Sequence, residues 1–432
     1  MIKRLFILLA ILIGVNEING QDLDFKELKE IVTNDTDISF VKEKAIELIK
    51  EGFAAGDSYT DLLFIRDYNT FIELSLSVHS QEKVKNNLLI FFKMQAENGE
   101  ILDVVVPKKN VDPNATNLQY RSKLAPDYAA DKATVATDQE SSLIQAVCKY
   151  IKETDDHSIL TEEIGGVTVS ERIDHAINFL KENRYSEKYG LIWGATTIDW
   201  GDVQPNSDWG VNIDENTNFS IDIYDNAMLI IAFNNLFDLV PEMELKFGKF
   251  RKGLVENSRK YLWDGRNNKF IPHIYISESP FPEDFNENEI FYFGGTALAM
   301  EAGLLSREEI LITLKEMEKR IERAGASSIG LSIEPIYPEG LIKNDHLTPY
   351  TYQNGGDWTW YGGRIVNQLI KYDYLEEAYE HLKPLMARVV ENDDFMEWYT
   401  KDNEPRGSTG YRGCAGVLYN AISSLEEKLG ID

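Results

Sequence analysis

The chain has 432 residues, of which 43% are hydrophobic and 27% are charged. This composition is typical of a globular protein and excludes a chain that is disordered throughout. The formal net charge is −28 at pH 7, and the acidic residues are spread along the chain. Nucleic acid and anionic membranes are therefore disfavoured as partners, because a negative field repels both.

The N-terminus resembles a secretory signal peptide. Lys3 and Arg4 precede an apolar run over residues 5–15, which is followed by a polar stretch with small residues. The run is shorter than the roughly 20 residues that a membrane-spanning helix needs. We expect a signal peptide over residues 1–20 and a secreted or periplasmic mature chain with no membrane attachment. Because the flank lacks a typical small-residue cleavage site, an uncleaved anchor remains the alternative.

Helical periodicity dominates the rest of the chain. Apolar residues recur every three or four positions in nine stretches. Short strands are predicted at residues 100–107 and 269–277. No linker marks a second domain, so we expect one mostly helical domain over residues 21–432 with functional loops at one end. A closed ring of helical hairpins and an irregular bundle both fit this pattern. The helical stretches cover residues 37–53, 80–94, 140–153, 169–182, 225–240, 249–263, 307–324, 363–391 and 416–430.

Tryptophans cluster in the loops rather than in the helices. A tryptophan in a loop rich in Gly and Asp is typical of the wall of a polar cleft, although it can also simply pack the loop. Sugars suit such a wall, because the apolar face of a pyranose stacks on an indole and its hydroxyls bind carboxylates and amides. Six of the seven tryptophans lie in three loop segments: Trp193, Trp200 and Trp209; Trp358 and Trp360; and Trp398.

The same loops supply carboxylates. Hydrolysis of a glycosidic bond needs one carboxylic acid to protonate the leaving oxygen and one carboxylate to activate water or attack carbon. The candidates are Asp199, Asp202 and Asp208 in one loop, Asp222 and Asp225 at a helix start, Glu397 between aromatic residues, and Asp67 beside Arg66.

Cysteines and histidines predict neither a disulfide framework nor a metal cofactor. Cys148 and Cys414 are far apart, and the six histidines are dispersed without a zinc motif. The aspartates from Asp199 to Asp214 lack the spacing of an EF-hand, although a loop calcium site remains an alternative. We expect no cofactor.

Four segments together resemble the six-hairpin (α/α)6-barrel glycosidases, the superfamily of processing α-glucosidase, trehalase and the glucosidase domain of glycogen-debranching enzymes. They are "FIRDYNTFIE", "GLIWGATTIDWGD", "YQNGGDWTW" and "EWYTKDNEPRGSTGYRGCAG", and they occur in the order of that superfamily. The resemblance extends from about residue 60 to the C-terminus. It implies an all-α fold, a six-hairpin (α/α)6 toroid with short strands in its loops.

The resemblance also implies catalytic roles. Asp202 corresponds to the general acid and Glu397 to the general base of an inverting enzyme. The two carboxyl groups should then stand roughly 6.5–9.5 Å apart with a water between them. Asp199 is the alternative acid, because "DWGD" contains two aspartates.

The resemblance further implies a substrate-binding set. Arg66 and Asp67 resemble a pair that grips sugar hydroxyls, and the "YQNGGDWTW" loop resembles one that surrounds the sugar at the scissile bond. Its glycines would let the backbone approach the sugar. The full candidate set is Arg66, Asp67, Trp193, Asp199, Trp200, Asp222, Gln353, Asn354, Asp357, Trp358, Trp360, Trp398, Tyr399 and Arg406.

The predicted function is an exported inverting glycoside hydrolase that acts on an oligo- or polysaccharide, with an α-glucosidic bond as one candidate. The sequence departs from the processing glucosidases at "GCAGVL" and has no clear N-terminal β-sandwich, so the substrate cannot be taken from a named member. An inverting phosphorylase that uses Arg406 and Arg412, a non-catalytic glycan-binding protein and a polysaccharide lyase are the alternatives. The oligomeric state is not predicted.

Overall fold

Fourteen α-helices make up most of the chain in the computed structural model, which describes residues 25–111, 117–208 and 210–431. Most of them match an apolar stretch found in the sequence. The helices are α1 (Phe25–Asn34), α2 (Thr36–Glu51), α3 (Ile65–Thr70), α4 (Ile72–Val78), α5 (Gln81–Met94), α6 (Gln139–Thr154), α7 (Val169–Asn183), α8 (Ile223–Leu239), α9 (Pro241–Asn257), α10 (Phe293–Glu301), α11 (Arg307–Ala324), α12 (Thr359–Lys371), α13 (Leu375–Asn392) and α14 (Arg412–Leu429).

Six helices form a closed inner ring. α3, α6, α8, α10, α12 and α14 each contact the next, and α14 returns to α3. All residues of α8 from Ile223 to Phe233 are buried, as are those of α10 from Phe293 to Met300. A helix that is apolar on all sides belongs inside a larger core. The closure of the ring excludes the irregular bundle.

The intervening helices α2, α5, α7, α9, α11 and α13 expose one face. In α11 the buried residues include Ile310, Leu314 and Met317, which form one stripe at helical spacing. This helix begins with a capping box between Ser306 and Glu309, which satisfies amides that have no partner in the first turn. The alternation of inner and outer helices gives the (α/α)6 barrel, and the predicted fold class is confirmed.

The strands are short and lie in the loops between helices. The longest are β2 and β3, which pair with β1 in an antiparallel sheet. The predicted strand at residues 269–277 is two separate strands. The strands are β1 (Leu63–Phe64), β2 (Val104–Pro107), β3 (Tyr128–Asp131), β4 (Glu163–Ile164), β5 (Val167–Thr168), β6 (Tyr185–Ser186), β7 (Leu191–Ile192), β8 (Gly194–Ala195), β9 (Phe219–Ile221), β10 (Trp263–Asp264), β11 (Lys269–Phe270), β12 (Ile274–Tyr275), β13 (Phe291–Tyr292), β14 (Ile333–Glu334), β15 (Trp398–Tyr399) and β16 (Pro405–Arg406).

Two features of the helices differ from the sequence prediction. The stretch 363–391 is two helices, because the chain turns at Asp373 with a φ of 62°. Helices α1, α3, α4 and α10 were not predicted. α3 and α4 are short, and α10 is apolar on every side, so none of these three shows a clear helical stripe.

None of the helices in the described ranges is long and apolar enough to cross a bilayer. The predicted signal peptide, residues 1–20, lies outside the described residues.

Candidate active site

The loops before α3, α12 and α14 enclose a cavity of about 440 Å³. Residues of the first turns of α3 and α12 line it, together with the N-cap residue of α14. Of the residues predicted from the sequence, eight line this cavity: Arg66, Asp67, Trp200, Asp202, Trp358, Trp360, Glu397 and Trp398.

Asp202 is held by three donor side chains at the cavity wall. Its Oδ1 accepts a hydrogen bond of 3.1 Å from Nε2 of Gln353 and one of 3.4 Å from the hydroxyl of Tyr352. Its Oδ2 lies 3.9 Å from Nη1 of Arg66. The side chain is 32% exposed, so the carboxyl group is fixed in orientation and still open to the cavity.

Glu397 lies immediately before β15 and is largely buried. Its carboxylate accepts hydrogen bonds of 3.1 Å from the hydroxyl of Tyr59 and 2.8 Å from the amide of Ser408. Burial raises the pKa of Glu397 to about 7, even though both donors lower it. The charges of Asp67 and Asp202 raise this pKa further, so the carboxyl groups of the cavity interact electrostatically.

A glycine makes room for Glu397. Gly407 has a φ of +75°, and a Cβ built on it would lie 2.6 Å from Oε2 of Glu397. A larger residue is disfavoured there both by the left-handed backbone and by the contact. The turn between β15 and β16 therefore fits closely around this carboxylate.

Arg66 and Asp67 occupy the first turn of α3. Arg66 donates from Nε and Nη2 to Asp138, at 2.6 and 3.0 Å, and this buried pair fixes the guanidinium. Asp67 accepts a bond of 2.5 Å from the hydroxyl of Tyr411. Burial raises the pKa of Asp67 to about 6, although that hydrogen bond and Arg66 lower it.

Aromatic rings form one wall of the cavity. Trp200 meets Trp358 edge to face at 5.1 Å, and Trp358 stacks with Trp398 at 6.3 Å. The indole nitrogen of Trp358 donates to the carbonyl of Tyr352 at 3.0 Å. The rings are thus fixed in a packed cluster that presents apolar surface beside the carboxylates.

Three of the predicted residues have structural roles outside the cavity lining. Asp199 is buried and accepts bonds of 2.7 Å from the amides of both Gly294 and Gly295, at the start of α10. Asp222 caps α8, and Trp193 packs against Phe219. None of these three lines the cavity, so of the two aspartates considered as the acid only Asp202 faces it. In the described part of the chain no group of three or more His, Cys, Asp or Glu could hold a metal ion.

Five further predicted residues also do not line the cavity. Asn354 is buried and bonds the backbone of Tyr337 and Leu347, while Gln353 bonds Asp202. The remaining three are Asp357, which pairs with Arg388, Tyr399, which lies under that arginine, and Arg406, which is exposed and pairs with Glu404. Their polar groups bind other parts of the protein, as does Arg412. Trp209 lies outside the described residues.

The cavity-lining residues that sequence reasoning missed include Tyr59, Asp103, Tyr352 and Tyr411. Tyr352 and Tyr411 lie within the segments that carry the resemblance, and their place in those segments was the available signal. Asp103 reaches the cavity only because β2 pairs with β1 just before α3. No local pattern predicts that pairing.

The fold is that of the six-hairpin (α/α)6-barrel glycosidases. Solved structures similar to this chain include the GH63 mannosylglycerate hydrolase from Thermus thermophilus in complex with glucose, with a TM-score of 0.62 and 13% identity over 88% of this chain and 99% of that one. A rhamnosidase from Klebsiella oxytoca with rhamnose bound has a TM-score of 0.58 and 12% identity over 89% of this chain and 63% of that one. No family model and no curated protein matches the sequence.

Gln353 is expected to act on Asp202 rather than on substrate. A Gln353→Met variant removes the bond to Oδ1 of Asp202 at nearly constant volume. If the chain hydrolyses glycosides, we expect kcat to fall about 10- to 100-fold while KM changes less than about threefold. Steady-state kinetics test this, with the buried Gln368→Met as the matched control. A change confined to KM would contradict the positioning role.

The three raised carboxyl pKa values predict a pH dependence of stability. The pKa is about 7 for Glu397, about 6 for Asp67 and about 7 for Asp103, each above its ordinary value. Each group binds its proton more tightly in the folded state. Its contribution to stability is therefore present below the ordinary pKa and is lost as the pH rises through the folded one.

The Glu397→Gln variant isolates one of these contributions. As the pH rises from 5 to 8, the wild type should lose this contribution and the variant should not. The free energy of unfolding of the variant should therefore rise by about 1–3 kcal/mol relative to that of the wild type. Urea denaturation at the two pH values measures this difference, and the exposed Glu404→Gln serves as the control. An unchanged difference would show that Glu397 is not protonated more strongly in the folded state.

Proposed function

We propose that this protein is an inverting glycoside hydrolase. The observation that carries the proposal is the pair Asp202 and Glu397, which line one aromatic-walled cavity on separate loops and are each fixed by hydrogen bonds. Two positioned carboxyl groups beside a ring-stacking surface are what glycosidic hydrolysis needs. The fold shared with known glycosidases supports the same activity.

In the proposed mechanism, Asp202 donates its proton to the glycosidic oxygen as the bond from that oxygen to the anomeric carbon breaks. A water on the opposite face of the sugar attacks the same carbon and gives its proton to Glu397. The released sugar has the inverted configuration, and the two carboxyl groups exchange their protonation states. Solvent then returns both groups to their starting forms.

The surroundings of the two groups fit a general acid–base pair. Glu397 has a pKa of about 7, and a general base is most effective when its pKa lies near the working pH. Asp202 faces the cavity beside Arg66 and Gln353, which hold it in one orientation toward the leaving oxygen. We assign acid to Asp202 and base to Glu397 on the resemblance of their segments.

The proposed substrate is an oligo- or polysaccharide that contains a neutral hexopyranose. Two of the similar structures were solved with glucose and with rhamnose, which are both neutral pyranoses, and the tryptophan wall suits the apolar face of such a ring. An α-glucosidic bond is the first linkage to test.

A panel of oligosaccharides tests the activity. The wild type and Glu397→Gln are incubated with α- and β-linked glucosides, mannosides, galactosides and rhamnosides, and products are separated by chromatography. Release of a sugar by the wild type and not by the variant is the expected result. Equal release by both would contradict the proposal, as would binding of sugars by both without any product.

We also propose that the chain is exported. The apolar run at residues 5–15 after two basic residues supports a signal peptide. Expression of the full chain in a bacterial host should yield a periplasmic or secreted protein that begins near Gln21 by mass spectrometry. Recovery of an intact N-terminus in the cytoplasm or the membrane would contradict export.

A further inference from the structure

The cavity is strongly acidic. Among the described residues, the charged side chains that line it are five carboxylates and one guanidinium, with the exposed His346 as the remaining basic group. The guanidinium belongs to Arg66, whose Nε and Nη2 are bonded to Asp138 outside the lining. The carboxylates are those of Asp67, Asp103, Asp131, Asp202 and Glu397.

Asp103 is a lining carboxylate for which the proposed hydrolysis has no use. It immediately precedes β2, and the pairing of β2 with β1 brings it close to α3. Among the described residues its carboxylate accepts no hydrogen bond. Burial and, to a smaller extent, the charges of Asp138 and Asp202 raise its pKa to about 7, although Arg66 and Lys132 lower it. A carboxylate that the protein leaves without a donor is available to a donor on the substrate.

We propose that the cavity selects sugars that are neutral or carry an amine, that it rejects sugars and leaving groups that carry a carboxylate, phosphate or sulfate, and that Asp103 is a determinant of this choice. The proposal rests on the proposed function, because it concerns the substrate of the same cavity. This selectivity would distinguish the chain from glycosidases whose leaving group carries a carboxylate.

The physical basis of this selectivity is the electrostatic field of the carboxyl groups inside a partly enclosed cavity. An anionic substrate would share the cavity with five carboxyl groups and with one arginine whose charge already faces Asp138. Like charges disfavour binding in such surroundings, whereas an ammonium group gains both an ion pair and a hydrogen bond. A neutral hydroxyl donates to Asp103 without adding charge.

Three small polyols of similar shape test the proposal without knowledge of the sugar. They are the ammonium tris(hydroxymethyl)aminomethane, the neutral 1,1,1-tris(hydroxymethyl)ethane and the anionic 2,2-bis(hydroxymethyl)propionate. Their binding to the full-length mature protein is followed by the NMR shifts of the tryptophan indoles at low and high salt. We expect the ammonium to bind at least tenfold more tightly than the carboxylate at low salt, with the neutral triol between them, and the ratio to shrink at high salt.

The Asp103→Asn variant assigns the effect. It should reduce the ratio of ammonium to carboxylate affinity at least threefold, whereas Asp284→Asn, which removes an exposed charge outside the cavity, should leave the ratio unchanged. The proposal is overturned if the carboxylate binds as tightly as the ammonium, if the ammonium does not bind at tens of millimolar, or if Asp103→Asn leaves the ratio unchanged. Because the readout is binding, this result is independent of whether the chain hydrolyses any glycoside.

Discussion

Replacement of Asp202 by Asn is expected to abolish hydrolysis of unactivated glycosides and to spare substrates that need no acid. With an alkyl or sugar leaving group, kcat/KM should fall on the order of 10³-fold, because the amide cannot protonate the departing oxygen. With fluoride as the leaving group, the fall should be less than about tenfold. The comparison uses the same sugar with the two leaving groups in steady-state kinetics.

Replacement of Glu397 by Gln gives the opposite pattern. The activity of the variant on both substrates should fall by a similar factor, because water must be deprotonated whichever group departs. Added azide, a nucleophile that needs no base, should restore turnover and yield a glycosyl azide of inverted configuration. Glu404→Gln, in the hairpin that follows Glu397, is the matched control and should keep wild-type rates.

The two variants together assign the roles. If Asp202→Asn loses activity equally on both substrates and Glu397→Gln keeps its activity on the glycosyl fluoride, then Glu397 is the acid and Asp202 the base. That exchange would agree with a raised Glu397 pKa and would contradict the assignment made from the resemblance. Full activity in both variants would remove these residues from the mechanism.

The largest loss of stability is expected at Asp357. Its carboxylate receives bonds of 2.8 and 2.6 Å from Arg388, and the two side chains are 0% and 1% exposed. Asp357→Asn leaves the guanidinium buried without its counter-ion, which typically costs about 3–5 kcal/mol. The free energy of unfolding in guanidinium chloride measures the effect.

An exposed ion pair of the same kind is the control. Arg406 and Glu404 are 48% and 61% exposed, and breaking such a pair costs less than about 1 kcal/mol. Glu404→Gln should therefore change the unfolding midpoint little. A loss below about 1 kcal/mol in Asp357→Asn would show that the buried pair contributes no more to stability than an exposed one.

The sequence predicted the fold largely through its outer helices. Stretches such as residues 307–324 have a clear apolar stripe, and α11 has these bounds. The inner helix α10 was not predicted, because Phe293–Met300 is buried on all sides and shows no stripe. The ring itself became an expectation only through the ordered motifs, since periodicity cannot distinguish a toroid from a bundle.

The candidate site was predicted only in part, because the sequence does not show which polar side chains of a loop face the cavity. Tryptophans in loops do line the cavity at Trp200, Trp358 and Trp398. The polar residues of the same loops divide between the cavity and internal bonds, as Asp202 and Asn354 illustrate. Which of two neighbouring polar side chains faces inward depends on backbone turns that a single sequence does not specify. The position of Asp103 in the cavity depends on the pairing of β2 with β1, which the sequence does not show either.

The anomeric form of the first product tests the central claim most directly. The wild type is mixed in the NMR tube with a glycoside of known configuration that it cleaves, and the anomeric proton is followed before mutarotation. Inverting hydrolysis predicts that an α-glycoside first releases the β-sugar. First release of the α-sugar, or of a sugar phosphate only when phosphate is added, would contradict the account.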